Sequence, residues 1–150
     1  MKNAFNPNDT ELFINRIEKL TPTSKPNWGK MAVAQMLAHC NVTYEKIYDQ
    51  NQPASSAFKK LLLKLFVKNM VVGQKPYKKN GPTAPEFIIK DNRDFETEKK
   101  RLIAYINETQ KLGASHFDGK ESHSFGVLTQ QEWSNMLSKH LEHHLTQFGV

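Results

Sequence analysis

Near its carboxyl end the chain reads KHLEHHLTQFGV, with His140, His143 and His144 inside five consecutive positions. Imidazole is the commonest metal ligand among side chains and the one that titrates near neutral pH. Helical residues four apart share a face. His140 and His144 can therefore offer two nitrogens to one divalent cation. A projection at about 100° per residue puts Trp133, Met136, Leu137, Leu141, Leu145 and Phe148 on one apolar side. His144 falls near its middle and His140 toward its edge. His143 lies further round, at the boundary with Lys139 and Gln147. A buried imidazole without partners costs a few kcal/mol. An inward pair is thus either hydrogen-bonded in a core or ligating, and the spacing alone does not choose.

Two protein ligands are too few for a tight site. The candidates for a third are His39, His116, His123, Cys40 and the acidic residues. His39 sits beside the main apolar stripe of its segment, near Met36 and Thr43, so periodicity alone does not aim it inward. Cys40 diverges from it by about 100° and reads as a small buried residue. The zinc-protease spacing HExxH is absent, because position 141 is leucine. Glu142 projects to the polar side and reads as solvated. Tyr44, Glu45 and Glu132 are candidates for a second catalytic group, with nothing to select among them; no catalytic residue is assigned.

The elements that must position these residues read as helices. Asn8-Asp9-Thr10-Glu11 looks like a capping box opening a short helix through Leu12, Phe13, Ile17 and Leu20. A second helix is expected from near Trp28-Gly29 to about Tyr48, with Val33, Leu37, Cys40, Tyr44, Ile47 and Tyr48 on one stripe. Asn51-Gln52-Pro53 should stop it. AFKKLLLKLFVKNMVV places Phe58, Leu61, Leu62, Leu65 and Phe66 on one face and Lys60, Lys64 and Lys68 on another. Such a stripe is expected to pack on a core; the alternative is a basic membrane-surface helix. Gly73 to Arg93 reads as a long crossover, with Phe87, Ile88 and Ile89 as a short extended piece. A third long helix is expected from Asp91–Asp94 to Gly113, marked by Phe95, Leu102, Ile103 and Ile106. After a polar loop carrying His116 and His123, the capping box Thr129-Gln130-Gln131-Glu132 opens the last helix and Gly149 closes it. The expectation is one all-α domain over 1–150, a four-helix bundle with a short N-terminal helix and a long crossover.

Composition narrows the classes. At 38% hydrophobic and 24% charged residues, the 150-residue chain has a globular composition. No apolar run approaches the roughly 18 residues of a membrane span. The single cysteine and a start without an apolar leader point to a cytoplasmic protein. The net charge of +6 comes from scattered lysines with no recognition motif, so no nucleic-acid role is expected.

WGKMAVAQMLAHC resembles the second-helix signature of the DinB-like (DinB/YfiT) superfamily of metal-dependent four-helix-bundle proteins. LTQQEWSNMLSKHLEHHLTQFGV resembles the last-helix signature of an uncharacterised branch. Helix order, crossover and length agree over nearly the whole chain. The resemblance implies a divalent metal, nickel or zinc, held by His39, His140 and His144. It implies no ligand role for His143 and places His123 in a loop before the last helix. It further implies a small-molecule substrate, a homodimer, and a thiol S-transferase using a low-molecular-weight bacterial thiol, or a hydrolase. The competing reading is a non-enzymatic binding module with a vestigial metal site. Its basic surface would face an acidic partner or a membrane.

Overall fold

The computed structural model describes residues 1–49 and 56–150. These residues are mostly helical and include one two-stranded hairpin. Helix α1 spans Pro7–Glu18. Its cap is Asn6 rather than Asn8: the Asn6 side chain accepts from the Asp9 N–H, and Pro7 takes the first turn, where a missing N–H does no harm. Phe13, Ile17 and Leu20 are buried, whereas Leu12 is exposed. Helix α2 spans Val33–Tyr48, starting later than expected. Gly29 has a positive φ of 82° and Ala32 is extended, so the chain turns before it can coil. The Ala32 N–H is then capped by Gln35 Oε1 at 3.1 Å. The stop expected at Asn51-Gln52-Pro53 lies outside the described residues.

The basic segment forms α3 (Ala57–Phe66) and α4 (Lys68–Val72). Its apolar stripe does not pack on a core. Phe58, Leu61, Leu62, Leu65 and Phe66 are all exposed, and Leu63 and Val67 face inward instead. Helix α3 packs chiefly on α4, so among the described residues no element covers the stripe. The crossover that follows holds a 3₁₀ turn at Pro85–Phe87, which takes Phe87 out of the expected extended piece, while Ile88 is extended as expected. Phe87 and Ile89 are half-buried and Ile88 is exposed.

Helix α5 spans Phe95–Phe117, capped by Asp94 through the Thr97 N–H at 2.8 Å. Gly113, with φ 75°, interrupts it as expected, but a further turn follows before Phe117. The loop beyond contains an antiparallel hairpin, β1 (Glu121–Ser122) and β2 (Gly126–Val127). Helix α6 spans Gln130–Gln147. It ends in paired bonds from Gly149 N to Thr146 O and from Val150 N to Leu145 O, both 3.1 Å, with Gly149 at φ 74°.

Helices α1, α2, α5 and α6 pack on one another around Phe13, Ile17, Leu37, Leu102, Leu137 and Leu141. A second cluster joins Val72, Phe117, Phe125, Leu128 and Trp133. Helix α6 contributes to both, so its register sets the relation between them.

That register begins at the capping box. Thr129 accepts from the Glu132 N–H, and the Glu132 carboxylate accepts from the Thr129 N–H at 2.9 Å. Burial alone would raise the Glu132 carboxyl. The Lys68 ammonium and the Thr129 N–H outweigh burial and hold it below the ordinary range. A depressed carboxyl stabilises the fold above its unfolded pKa, and the contribution fades as pH falls through the folded value. Thr129→Ala is expected to lower the unfolding free energy by about 1 kcal/mol in urea titrations at pH 7. Glu132→Gln should lose a similar amount there and almost nothing once the pH has fallen through the depressed folded value and the carboxyl is protonated. An effect of Glu132→Gln that persists unchanged in acid would contradict the assignment.

Candidate metal centre

His39 projects from α2, and His140 and His144 project from α6. Their ligand atoms lie within 4.8 Å of one another. His39 Nε2 and His140 Nε2 are 2.9 Å apart, and the three ring centroids are 4.6–4.9 Å apart. Ligand nitrogens around a tetrahedral zinc are separated by roughly 3.3 Å, given bonds of about 2.0–2.1 Å. The His39–His140 pair already stands inside that separation, and the trio, with a spread of up to 4.8 Å, would have to draw in slightly to share one ion.

Helix α2 can aim His39 inward because it is buried on two sides. Asn41 and Tyr44 reach α5, Asn41 by hydrogen bonds to Glu98 and Tyr44 by stacking on Tyr105. His39 and Thr43 reach α6 through His140. A single-stripe projection shows only the first of these faces.

Each imidazole is anchored through its other nitrogen. His39 Nδ1 lies 2.8 Å from Phe87 O, and a carbonyl can only accept, so Nδ1–H donates and Nε2 presents a lone pair. His144 Nδ1 lies 2.8 Å from Gln147 Oε1, while Gln147 Nε2 donates to Trp28 O at 2.7 Å. His144 Nε2 is therefore also a lone-pair donor. His140 Nδ1 meets Thr43 Oγ1 at 3.2 Å, and a hydroxyl serves either tautomer. Two bare Nε2 lone pairs at 2.9 Å would repel, so the His39–His140 contact requires a shared proton or a cation between them. Anchored outer nitrogens are the usual support of metal-bound histidines.

Burial holds all three imidazoles neutral. It lowers His39; it lowers His140 further, helped by the neighbouring imidazoles; and it takes His144 to about 3. Neutral imidazole is the ligating form.

A cleft of about 680 Å³ opens onto the three histidines. Ile47, Leu63, Val67, Met70, Phe125 and Trp133 give it apolar walls. Its lining carries three lysines, Lys46, Lys75 and Lys78, against one carboxylate, Glu86. With neutral ligands the cleft is thus electropositive. His123 and His143 also line it. His143 turns its ring to Trp28 and Tyr77, with centroids 5.8 and 5.6 Å away. His116 is elsewhere, beside Lys120 at 3.3 Å. Cys40 is 1% exposed, and burial pushes its thiol far up, which suits a core residue.

The other candidates are engaged away from the cleft. Tyr44 stacks on Tyr105, Glu45 pairs with Arg101, and Glu132 caps α6. Glu142 is not simply solvated. It binds Lys2 at 2.7 Å and Arg16 at 2.9 Å, tying the N-terminal segment to α6.

Residues 3–149 match the family model described as "Protein of unknown function (DUF1569)". The chain belongs to the DUF1569 family. Neither a curated protein nor a solved structure matches it.

The centre of this DUF1569 chain depends on groups that sequence reasoning passed over. Lys139 and Gln147, read as a polar boundary, are buried. Lys139 Nζ donates to the carbonyls of Met70 and Gly73, and Asn135 Nδ2 to Val72 O at 2.9 Å, so α6 ties off the end of α4. Gln147 couples His144 to the Trp28-Gly29 turn. A Cβ on Gly29 would stand 2.6 Å from Gln147 Nε2, at a φ that side chains rarely adopt. Gly29→Ala is expected to destabilise the fold by about 1 kcal/mol or more. It should also weaken zinc binding roughly tenfold by displacing the group that orients His144. Unchanged zinc affinity by calorimetry would show that Gln147 has no such role.

Proposed function

We propose that this protein is a metal-dependent enzyme in which His39, His140 and His144 hold a divalent cation, nickel or zinc, for thiol S-transfer on a small molecule. The reading follows the DinB-like resemblance, with α1, α2, α5 and α6 as its four-helix bundle and residues 1–150 as one domain. The observation that carries it is the convergence of three imidazoles whose outer nitrogens are each held by a separate partner.

When bound, the cation would favour thiolate over thiol on a coordinating substrate or cofactor. The chain's own groups complement that. Lys46, Lys75 and Lys78 attract an anion into the cleft, and its apolar walls exclude water from the sulfur. Phe87 O, Thr43 and Gln147 keep the imidazoles oriented. None of Tyr44, Glu45 and Glu132 lines the cleft, so none of these three serves as a second group for hydrolysis there.

The test is elemental analysis of protein purified without a polyhistidine tag. About one divalent ion per chain is expected, and a His140→Ala/His144→Ala variant should carry none. Full metal content in that variant would end the proposal. Loaded protein should then accelerate alkylation of a small thiol; no rate above the metal-free protein would remove the transferase part alone.

A further inference from the structure

The apolar stripe of α3 has no partner among the described residues. Phe58, Leu61, Leu62, Leu65 and Phe66 are 71, 53, 41, 64 and 77% exposed. Met70, in α4, extends the series at 54%. Isolated exposed hydrophobics are ordinary, but a contiguous face of them marks a place where something docks.

Charge selects the occupant. Lys60, Lys64 and Lys68 recur at four-residue intervals. At about 100° per residue Lys64 stands just outside the edge of the stripe at Leu61, whereas Lys60 lies on the far side of the helix, toward the body. Lys60 reaches Glu121 at 3.1 Å and Lys68 reaches Glu132 at 2.7 Å. Lys64 is exposed and, among the described residues, makes no ion pair. The next segment adds exposed Lys75, Lys78 and Lys79, and the chain carries +6. A second copy would bring its own exposed lysines and the same net charge onto the patch, where like charges repel. An anionic lipid surface fits both parts. Its acyl region accepts the Phe and Leu side chains, while the lysines, on long apolar stems, reach the headgroups. Among the described residues no helix is long and apolar enough to cross a membrane, so the attachment of α3 lies in the surface plane.

We propose that α3 docks this protein on anionic lipid surfaces, with its Phe58–Phe66 face in the headgroup–acyl boundary and Lys64 at its edge. The inward face of the same segment, Leu63 and Val67, forms part of the cleft wall. Docking therefore brings the cleft close to the lipid surface, where amphipathic anions concentrate.

The test is co-sedimentation of the full chain with phosphatidylcholine vesicles, with or without about 30% phosphatidylserine, at low salt and at about 0.5 M salt. Binding should require phosphatidylserine and weaken at least tenfold in high salt. Phe58→Ser/Phe66→Ser should weaken it at least tenfold with an unchanged helical circular-dichroism spectrum, because both side chains are already solvated. Lys64→Glu, at another exposed position, should weaken it several-fold and serves if the double variant fails to fold. Wild-type protein left in the supernatant at low salt, or undiminished binding by the variants, overturns the proposal. So does a dimer that the phenylalanine substitutions dissociate while vesicle binding is unaffected, which would make a second copy the occupant.

Discussion

His140→Ala is expected to lower the affinity for zinc or nickel by more than about a hundredfold. Loss of an outer partner already reduces metal affinity 10- to 100-fold, and loss of a ligand removes more. His140 lies 2.9 Å from His39 and shares α6 with His144, so its removal leaves two ligands, one on each helix. His39→Ala and His144→Ala should fall in the same range. His143→Ala should stay within about threefold of wild type, because His143 touches the His144 ring but is not one of the three residues whose ligand atoms converge. Calorimetric titration of chelator-stripped protein separates these cases. Near-equal affinities across the four variants would mean that the histidines bind cations adventitiously rather than as one site.

Two of the three histidines were legible in the sequence as inward-facing. The last helix has one apolar side, and a projection of that side places His140 and His144 inward, as found. His39 was not legible from its own helix. A helix wedged between two neighbours has two buried faces, and a stripe of Leu37, Cys40 and Tyr44 reveals the one of larger apolar residues. The second face is written in polar types, His39 and Thr43, whose burial makes sense only once His140 stands opposite. It was the resemblance to DinB-like proteins, not periodicity, that put His39 forward as a third ligand.

The supporting groups were hidden for a related reason. Lys139 and Gln147 look like surface residues because their side chains are polar. Yet each ends on backbone carbonyls of another segment, Lys139 on Met70 and Gly73 and Gln147 on Trp28. Buried polar groups are stable when their partners are fixed, and those partners lie 66 to 119 residues away in the chain. The inverse failure occurs in α3. Periodicity identified its apolar face correctly and still misjudged its surroundings, since amphipathicity states that a face wants cover without saying whether the same chain provides it.

Glu98→Ala should cost about 3 kcal/mol, a large part of the roughly 5–15 kcal/mol that holds an ordinary domain together. Glu98 is 4% exposed, yet its carboxylate accepts from Asn41 at 2.7 Å and Arg101 at 2.9 Å, with Arg93 at 3.5 Å. Breaking a buried ionic group from one side costs about 3–5 kcal/mol. The lower end applies because both arginines are about a third exposed and can turn to water, and because Asn41 keeps the Glu98 carbonyl at 3.0 Å. Glu98→Gln retains the shape and one acceptor, so its loss should be about half as large. Urea unfolding at pH 7 gives both values, and a cost below about 1 kcal/mol for Glu98→Ala would show that the network contributes little. Zinc affinity of the folded variant should nevertheless remain within a few-fold of wild type. Asn41 stands two residues beyond His39, about 200° round α2, so the Glu98 network braces the face of α2 opposite the histidines.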